Sequence, residues 1–178
     1  MTEERELLRA ARRFDLAALA EIYDCYSPGI YRYAMRLLGD EFLAEECLSD
    51  TFDRFLKALK RGGGPQDALQ AYLYRIAHNW ITDHYRRAPL PETELADELG
   101  SQQPDQFEEH PASAAEVRHA LQNLTEDQRA AVILRYLEGW ENEEIARLLS
   151  KQVGAVKALQ QRGLAALRRQ LQREGGEE

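Results

Sequence analysis

Lys157, Gln161 and Arg162 stand close together near the C-terminal end of the chain, just behind Glu143-Glu144-Ile145-Ala146, Ser150 and Gly154-Ala155-Val156. Their chemistry is recognition rather than catalysis. A glutamine amide pairs bidentately with adenine, and lysine or arginine donates to guanine or to phosphate. Turned at 100° per residue, Val153, Val156, Leu164, Leu167 and Leu171 share one sector, while Ala155, Ala158, Gln161, Arg162 and Arg169 point away from it. Lys157 sits at the edge of that outward sector, and Gln160 falls inside the apolar one as a boundary residue. This is the pattern of a helix-turn-helix, in which the N-terminal part of the second helix meets base edges. Six Lys or Arg and no acid between Lys151 and Arg173 leave a modest basic patch.

A second polar stripe lies upstream. Arg75, Asn79, Thr82 and Arg86 follow i, i+4, i+7, i+11 along a helix whose other side holds Leu69, Leu73, Ile76 and Trp80. The angle of Trp80 assigns it to core packing rather than to a wedge between bases. Glu46, Asp50, Asp53 and Lys57 fall opposite Ala44, Leu48, Thr51, Phe52, Phe55 and Leu59 on a further helix, so its exposed side is mainly acidic. The glycines around residues 62–70 would let backbone approach a flipped base closely.

Other chemistry has little support. His78, His84, His110 and His119 form no i, i+4 pair and have no cysteine at ligand spacing, so no metal is expected. Neither a glycine-rich phosphate loop with lysine nor a Gly-x-Ser-x-Gly elbow occurs, and no cofactor or catalytic residue is expected. Cys25 and Cys47 sit on helices where small apolar residues would serve, which suggests buried thiols and a reducing compartment.

The elements that must hold these residues are helical. The 178 residues, 44% of them hydrophobic, lack the period-two runs of strands, and an all-α fold of two small helical domains follows. Residues 88–112 hold four of the six prolines, seven Asp or Glu and no Lys or Arg, the composition of an acidic linker. It divides a unit at residues 5–87 from one at residues 113–172. In the first, Ser27-Pro28 reads as an N-cap that begins a new helix, Gly39 as a left-handed stop and Asp40 as the next cap. The third helix runs to Lys60, and a fourth spans about residues 66–87. In the second unit, Thr125 with Gln128 forms a capping box, Gly139 closes the helix and Trp140 packs the corner. The N-terminus lacks a basic or apolar leader, and no run approaches the ~18 apolar residues of a membrane span, so a soluble cytoplasmic protein is expected.

Three segments in this order resemble the extracytoplasmic-function (ECF) group of the sigma-70 family of bacterial transcription initiation factors. Ala44-Glu45-Glu46-Cys47-Leu48-Ser49-Asp50-Thr51-Phe52 is similar to the second-region segment that docks on RNA polymerase. Tyr72-Leu73-Tyr74-Arg75-Ile76-Ala77-His78-Asn79-Trp80, continuing to Asp83 and Tyr85-Arg86-Arg87, resembles the promoter-melting helix. Leu124-Thr125-Glu126-Asp127-Gln128-Arg129 and the helix-turn-helix resemble the fourth region. The resemblance implies core RNA polymerase and promoter DNA as partners, with an anti-sigma factor as an expected third. It implies polymerase contacts at Glu46, Asp50, Thr51 and Asp53, minus-ten contacts at Arg75, His78, Asn79, Thr82, Asp83, Arg86 and Arg87, and minus-thirty-five contacts at Lys157, Ala158, Gln161 and Arg162. The family's linker reaches through a polymerase channel, and the seven acids here suit that role or a plain tether.

The sequence departs from the family pattern at Leu159, where a basic residue is common, at Ala158, where serine is common, and at Ser150-Lys151, where a turn glycine and an apolar residue are usual. Glu141 replaces a capping serine, and Asn142 is expected to cap one residue later. With a net charge of −8 the free chain should bind DNA weakly. Two other classes fit parts of the sequence: a stand-alone helix-turn-helix regulator, and a protein adaptor with a vestigial reader.

Overall fold

The computed structural model describes residues 2–87 and 114–174. The linker at 88–112 and His110 lie outside them. Among the described residues the secondary structure is helical throughout. Helix α1 spans Thr2–Arg12 and α2 spans Leu16–Leu38. α3 spans Glu41–Lys60 and α4 spans Leu69–Arg87.

The expected break at Ser27-Pro28 does not occur. Pro28 lies inside a continuous α2, although a proline there removes one hydrogen bond and costs about 3 kcal/mol. The buried face runs through it: Ala18 and Ile22 before, Ile30, Tyr33, Ala34 and Leu37 after. A helix that stopped at Ser27 would misalign that stripe, so tertiary burial outweighs the local cost. The apolar pattern does not announce α1 as a separate helix either. Its Leu8 and Ala11 are buried against the bundle, and Asp15 caps α2 by accepting from the Ala18 amide at 2.9 Å. The later signals hold. Gly39 is left-handed at φ 67, and Asp40 accepts from the Leu43 amide at 2.9 Å.

The second unit begins with α5 at Ala114–Gln122 and α6 at Glu126–Val132, entered through the Thr125–Gln128 capping box. α6 widens into a π-helical turn at Ile133–Leu137, where the Glu138 amide reaches back to Ile133 O at 3.0 Å. Gly139, at φ 74, ends it. α7 at Asn142–Leu149 and α8 at Val153–Glu174 form the helix-turn-helix. Ser150 makes the turn in the left-handed region at φ 54, a conformation that glycine adopts without strain.

The two units pack directly on each other. Trp140 packs a corner as expected, but across the unit boundary: its ring centroid lies 4.9 Å from that of Tyr74 on α4. Arg129, only 5% exposed, donates from Nε to Leu121 O at 2.7 Å and from Nη2 to Gln122 O and Leu124 O at 2.9 and 3.1 Å, inside its own unit. Its Nη1 crosses to Leu37 O and to the Tyr85 hydroxyl in the first unit. Glu138 meets Arg36 at 2.5 Å and Arg32 at 3.8 Å.

Candidate nucleic-acid interface

α8 buries Val156, Gln160 and Gly163, with Leu159 and Leu167 half-buried beside them, and meets α6 at Gly163. A Cβ at Gly163 would come within 2.7 Å of Val132 Cγ2, so glycine permits the close approach of the two helices. That approach turns the buried face away from Leu164. Periodicity puts Leu164 in the apolar sector, yet it is 38% exposed. Leu159 packs against the core, so its departure from a basic residue serves the scaffold rather than removing a reader. Gln160 is buried, and its Nε2 donates to Asn142 Oδ1 at 2.8 Å.

Asn142 is therefore not the cap of α7. Glu141 is the N-cap, its amide bonded to Glu144 Oε2 at 3.0 Å, and Asn142 as the first helical residue is free to hold Gln160. Lys151, following the turn, pairs with Asp127 at 3.0 Å. With the opposite face so fixed, Lys157, Gln161 and Arg162 are exposed near the start of α8 and Ala158 is half-buried between them. A helix start presenting two cations and an amide toward solvent fits a groove lined with phosphates and base edges.

α4 brings Arg75, Asn79, Arg86 and Arg87 to the surface, but the units' packing engages part of the stripe. Arg75 Nη2 donates to Arg147 O at 2.8 Å, and Thr82 Oγ1 donates to Glu126 Oε1 at 2.5 Å. Asp83 is half-buried beside Arg54, Trp80, His84 and Arg87. Trp80 is half-buried against the core and lies parallel to His84, with centroids 5.5 Å apart.

Sigma-70 region 2 matches residues 22–89, and Sigma-70, region 4 matches residues 114–167. The ECF RNA polymerase sigma factor SigL of Mycobacterium tuberculosis is 30% identical over 166 residues, covering 90% of this chain and 93% of that protein. The chain belongs to the ECF group of the sigma-70 family. It is accordingly an RNA polymerase sigma factor, a protein of transcription initiation. BldN of Streptomyces coelicolor, also an ECF sigma factor, is 32% identical over 172 residues; they cover 93% of this chain and 65% of BldN, so this chain spans about two thirds of that relative. The fold is similar to that of CnrH in complex with the cytosolic domain of CnrY, with a TM-score of 0.71 and 24% identity over 95% of this chain and 97% of that one. It is also similar to RpoE in complex with the anti-sigma factor NepR from Bartonella quintana, with a TM-score of 0.66 and 21% identity over 86% and 96%.

Within this sigma factor, two expected contact residues are out of reach. His78 is 7% exposed and shares a 2.8 Å hydrogen bond with the Tyr33 hydroxyl. Burial lowers its pKa to about 4, against a smaller opposing pull from Asp127, so the ring is held neutral among the helices. Thr51 is fully buried, and its hydroxyl donates to Cys47 O one turn back at 2.7 Å. Neither can touch DNA or polymerase in this arrangement, because helical phase turns both into the core. Glu46 and Asp53 are exposed on α3, and Asp50 is half-buried in an ion pair with Arg54 at 2.6 Å. Lys57 pairs with Asp53 at 2.7 Å, which dilutes that end of the acidic face.

The cysteines divide. Cys47 is buried, as expected, and burial pushes its thiol up to about 12; Cys25 is exposed, contrary to expectation. Sequence reasoning also misses Arg129 and Glu138. A charged residue adjoining Ala130 and Ala131 on a seven-residue helix is the available signal for Arg129, since buried charges persist only where hydrogen bonds meet them.

Proposed function

We propose that this sigma factor binds core RNA polymerase through the α3 surface carrying Glu46, Asp50 and Asp53, and reads promoters with two separate helices. The start of α8 takes the minus-thirty-five element through Lys157, Gln161 and Arg162, with Ala158 fitting closely against the groove. α4 takes the minus-ten element through Arg75, Asn79, Thr82, Arg86 and Arg87. Domain roles follow the same division, residues 5–87 serving docking and melting and residues 113–172 upstream recognition. The observation that carries this reading is the exposed Lys157, Gln161 and Arg162 face on a helix whose other side is locked by Val156, Gln160 and Gly163.

Arg75 and Thr82 are bonded to the second unit in the closed arrangement, so reading the minus-ten element requires the units to part. An anti-sigma factor that binds the closed pair would hold that stripe unread. RNA synthesis belongs to the polymerase, and the sigma factor contributes docking, promoter recognition and melting. A cytoplasmic location agrees with the lack, among the described residues, of any helix long and apolar enough to cross a membrane.

The deciding experiment is transcription in vitro from genomic fragments with core polymerase, with and without this chain. Promoter-dependent transcripts that appear only with the chain are expected. Specific promoter binding by the chain alone, without any effect on polymerase, would instead mark a stand-alone regulator.

A further inference from the structure

The largest concavity shares no lining residue with either DNA-reading face. It has a volume of about 430 Å³, within the range of small-molecule sites, and is lined by Arg5, Leu8, Arg9 and Arg12 of α1 and by Gln66 and Asp67 of the α3–α4 connection. Two contacts fix the connection against α1. Arg12 Nη2 donates to Gly64 O and Pro65 O at 3.3 and 2.9 Å, and Glu4 Oε1 accepts from the Leu69 amide at 2.7 Å. Ala68, directly after Asp67, is held in the left-handed region at φ 50, which a residue with a Cβ adopts only where its surroundings impose it. A wall fixed in this way lowers the ordering cost of binding.

The charges of the groove are not spent on one another. Arg5, Arg9 and Asp67 are exposed and form neither an ion pair nor a hydrogen bond among the described residues, while Arg12 donates to neutral carbonyls. Arg5 and Arg9 stand one turn apart, about 6 Å along the helix axis, so both guanidiniums lie on one flank. The groove therefore has a cationic pole on α1 and a single carboxylate pole on the connection. A ligand that satisfies both carries phosphates at one end and a pair of N–H donors at the other. Guanidinium forks match phosphate oxygens, and an ionised carboxylate accepts two parallel hydrogen bonds but donates none. Guanine offers such a pair at N1 and at its N2 amine, with O6 alongside for the Gln66 amide, whereas adenine and the pyrimidines offer no adjacent pair. Leu8, 1% exposed, supplies an apolar floor.

We propose that this groove binds a free guanosine di- or triphosphate, with Arg5 and Arg9 on the phosphates and Asp67 on the guanine edge. The site goes beyond the promoter and polymerase contacts proposed above and does not depend on them.

Calorimetric titration of the full chain with GDP tests the site, alongside ADP, guanosine, inorganic pyrophosphate and a short oligothymidylate. The chain is expected to bind GDP with a Kd below about 1 mM and about tenfold or more tighter than each comparison ligand. The Arg5→Gln/Arg9→Gln double variant should weaken GDP binding by about tenfold or more and remove most of its salt dependence. Its thermal unfolding should match wild type, since both side chains are exposed. Asp67→Asn should reverse the preference of wild type for GDP over xanthosine diphosphate. Xanthine carries a carbonyl where guanine carries the N2 amine, and the asparagine amide can donate to it. Such a gain of binding does not arise from misfolding. No binding at about 1 mM GDP, or equal affinities for GDP and ADP, overturns the site. Oligothymidylate that binds as tightly as GDP also overturns it, marking a general polyanion groove. So does wild-type affinity in the double variant, or an unchanged base preference in Asp67→Asn.

Discussion

Gln161 presents its amide on the exposed side of α8, one turn beyond Lys157, while the neighbouring Gln160 is spent inside on Asn142. Two adjacent glutamines thus have opposite fates, decided by helical phase. Gln161→Ala in holoenzyme should relax preference at one adenine of the upstream element by about 1 to 3 kcal/mol. Selection from a randomised promoter pool measures this; an unchanged base preference there would count against the assignment. His78 makes a different prediction. Its folded pKa of about 4 lies below the ordinary value of 6.5, so the folded state resists protonation that the unfolded chain accepts. This contribution leaves stability untouched above pH 6.5, removes it progressively as pH falls from 6.5 toward 4, and levels off below. His78→Gln keeps an acceptor for the Tyr33 hydroxyl and should flatten that part of the curve. Denaturant titrations of both proteins across the window test it.

At the scale of elements, α8 owes its rotation to Gly163. Glycine costs a helix interior about 1 kcal/mol relative to alanine, yet here it removes a clash with Val132 and admits α8 onto α6. Gly163→Val should force the helices apart and destabilise the second unit by about 1 to 3 kcal/mol, which thermal unfolding would register. α2 shows the same balance in another form, since burial on both sides of Pro28 keeps one helix where local rules suggest two. Three capping signals are legible in the sequence, Asp40, Gly39 and the Thr125–Gln128 box, because they act within a few residues and need no distant partner, whereas those at Ser27 and Asn142 give way to tertiary contacts. The phase of α8 is legible only in part, because a missing side chain is silent in a hydrophobic pattern even where it decides contact.

At the scale of the whole molecule, the two units form a closed pair through polar links around an aromatic contact. Glu138, with a side chain 7% exposed, joins Arg36 across the boundary, while Arg129 ties Leu37 and Tyr85 to the second unit. A charged hydrogen bond of this kind contributes roughly 1.5 to 3 kcal/mol, so Glu138→Gln should shift the closed pair toward separation by about tenfold or more. Small-angle scattering over a salt series should show the units parting at lower salt in the variant; an unchanged midpoint would mean that Glu138 does not hold the pair. The sequence alone determined the all-helical class, the helix ends at Gly39, Asp40 and Thr125, the family and the faces that carry Gln161, Asn79 and Asp53, because those depend on local propensity and on periods of a few residues. Only the tertiary structure decided that His78 is buried against Tyr33, that Arg75 and Thr82 are engaged by the other unit, and that Arg5 and Arg9 flank a groove with residues about 60 positions away in the chain. Each of these is set by which helix lies against which, and that is a property of packing between distant segments that no local pattern encodes.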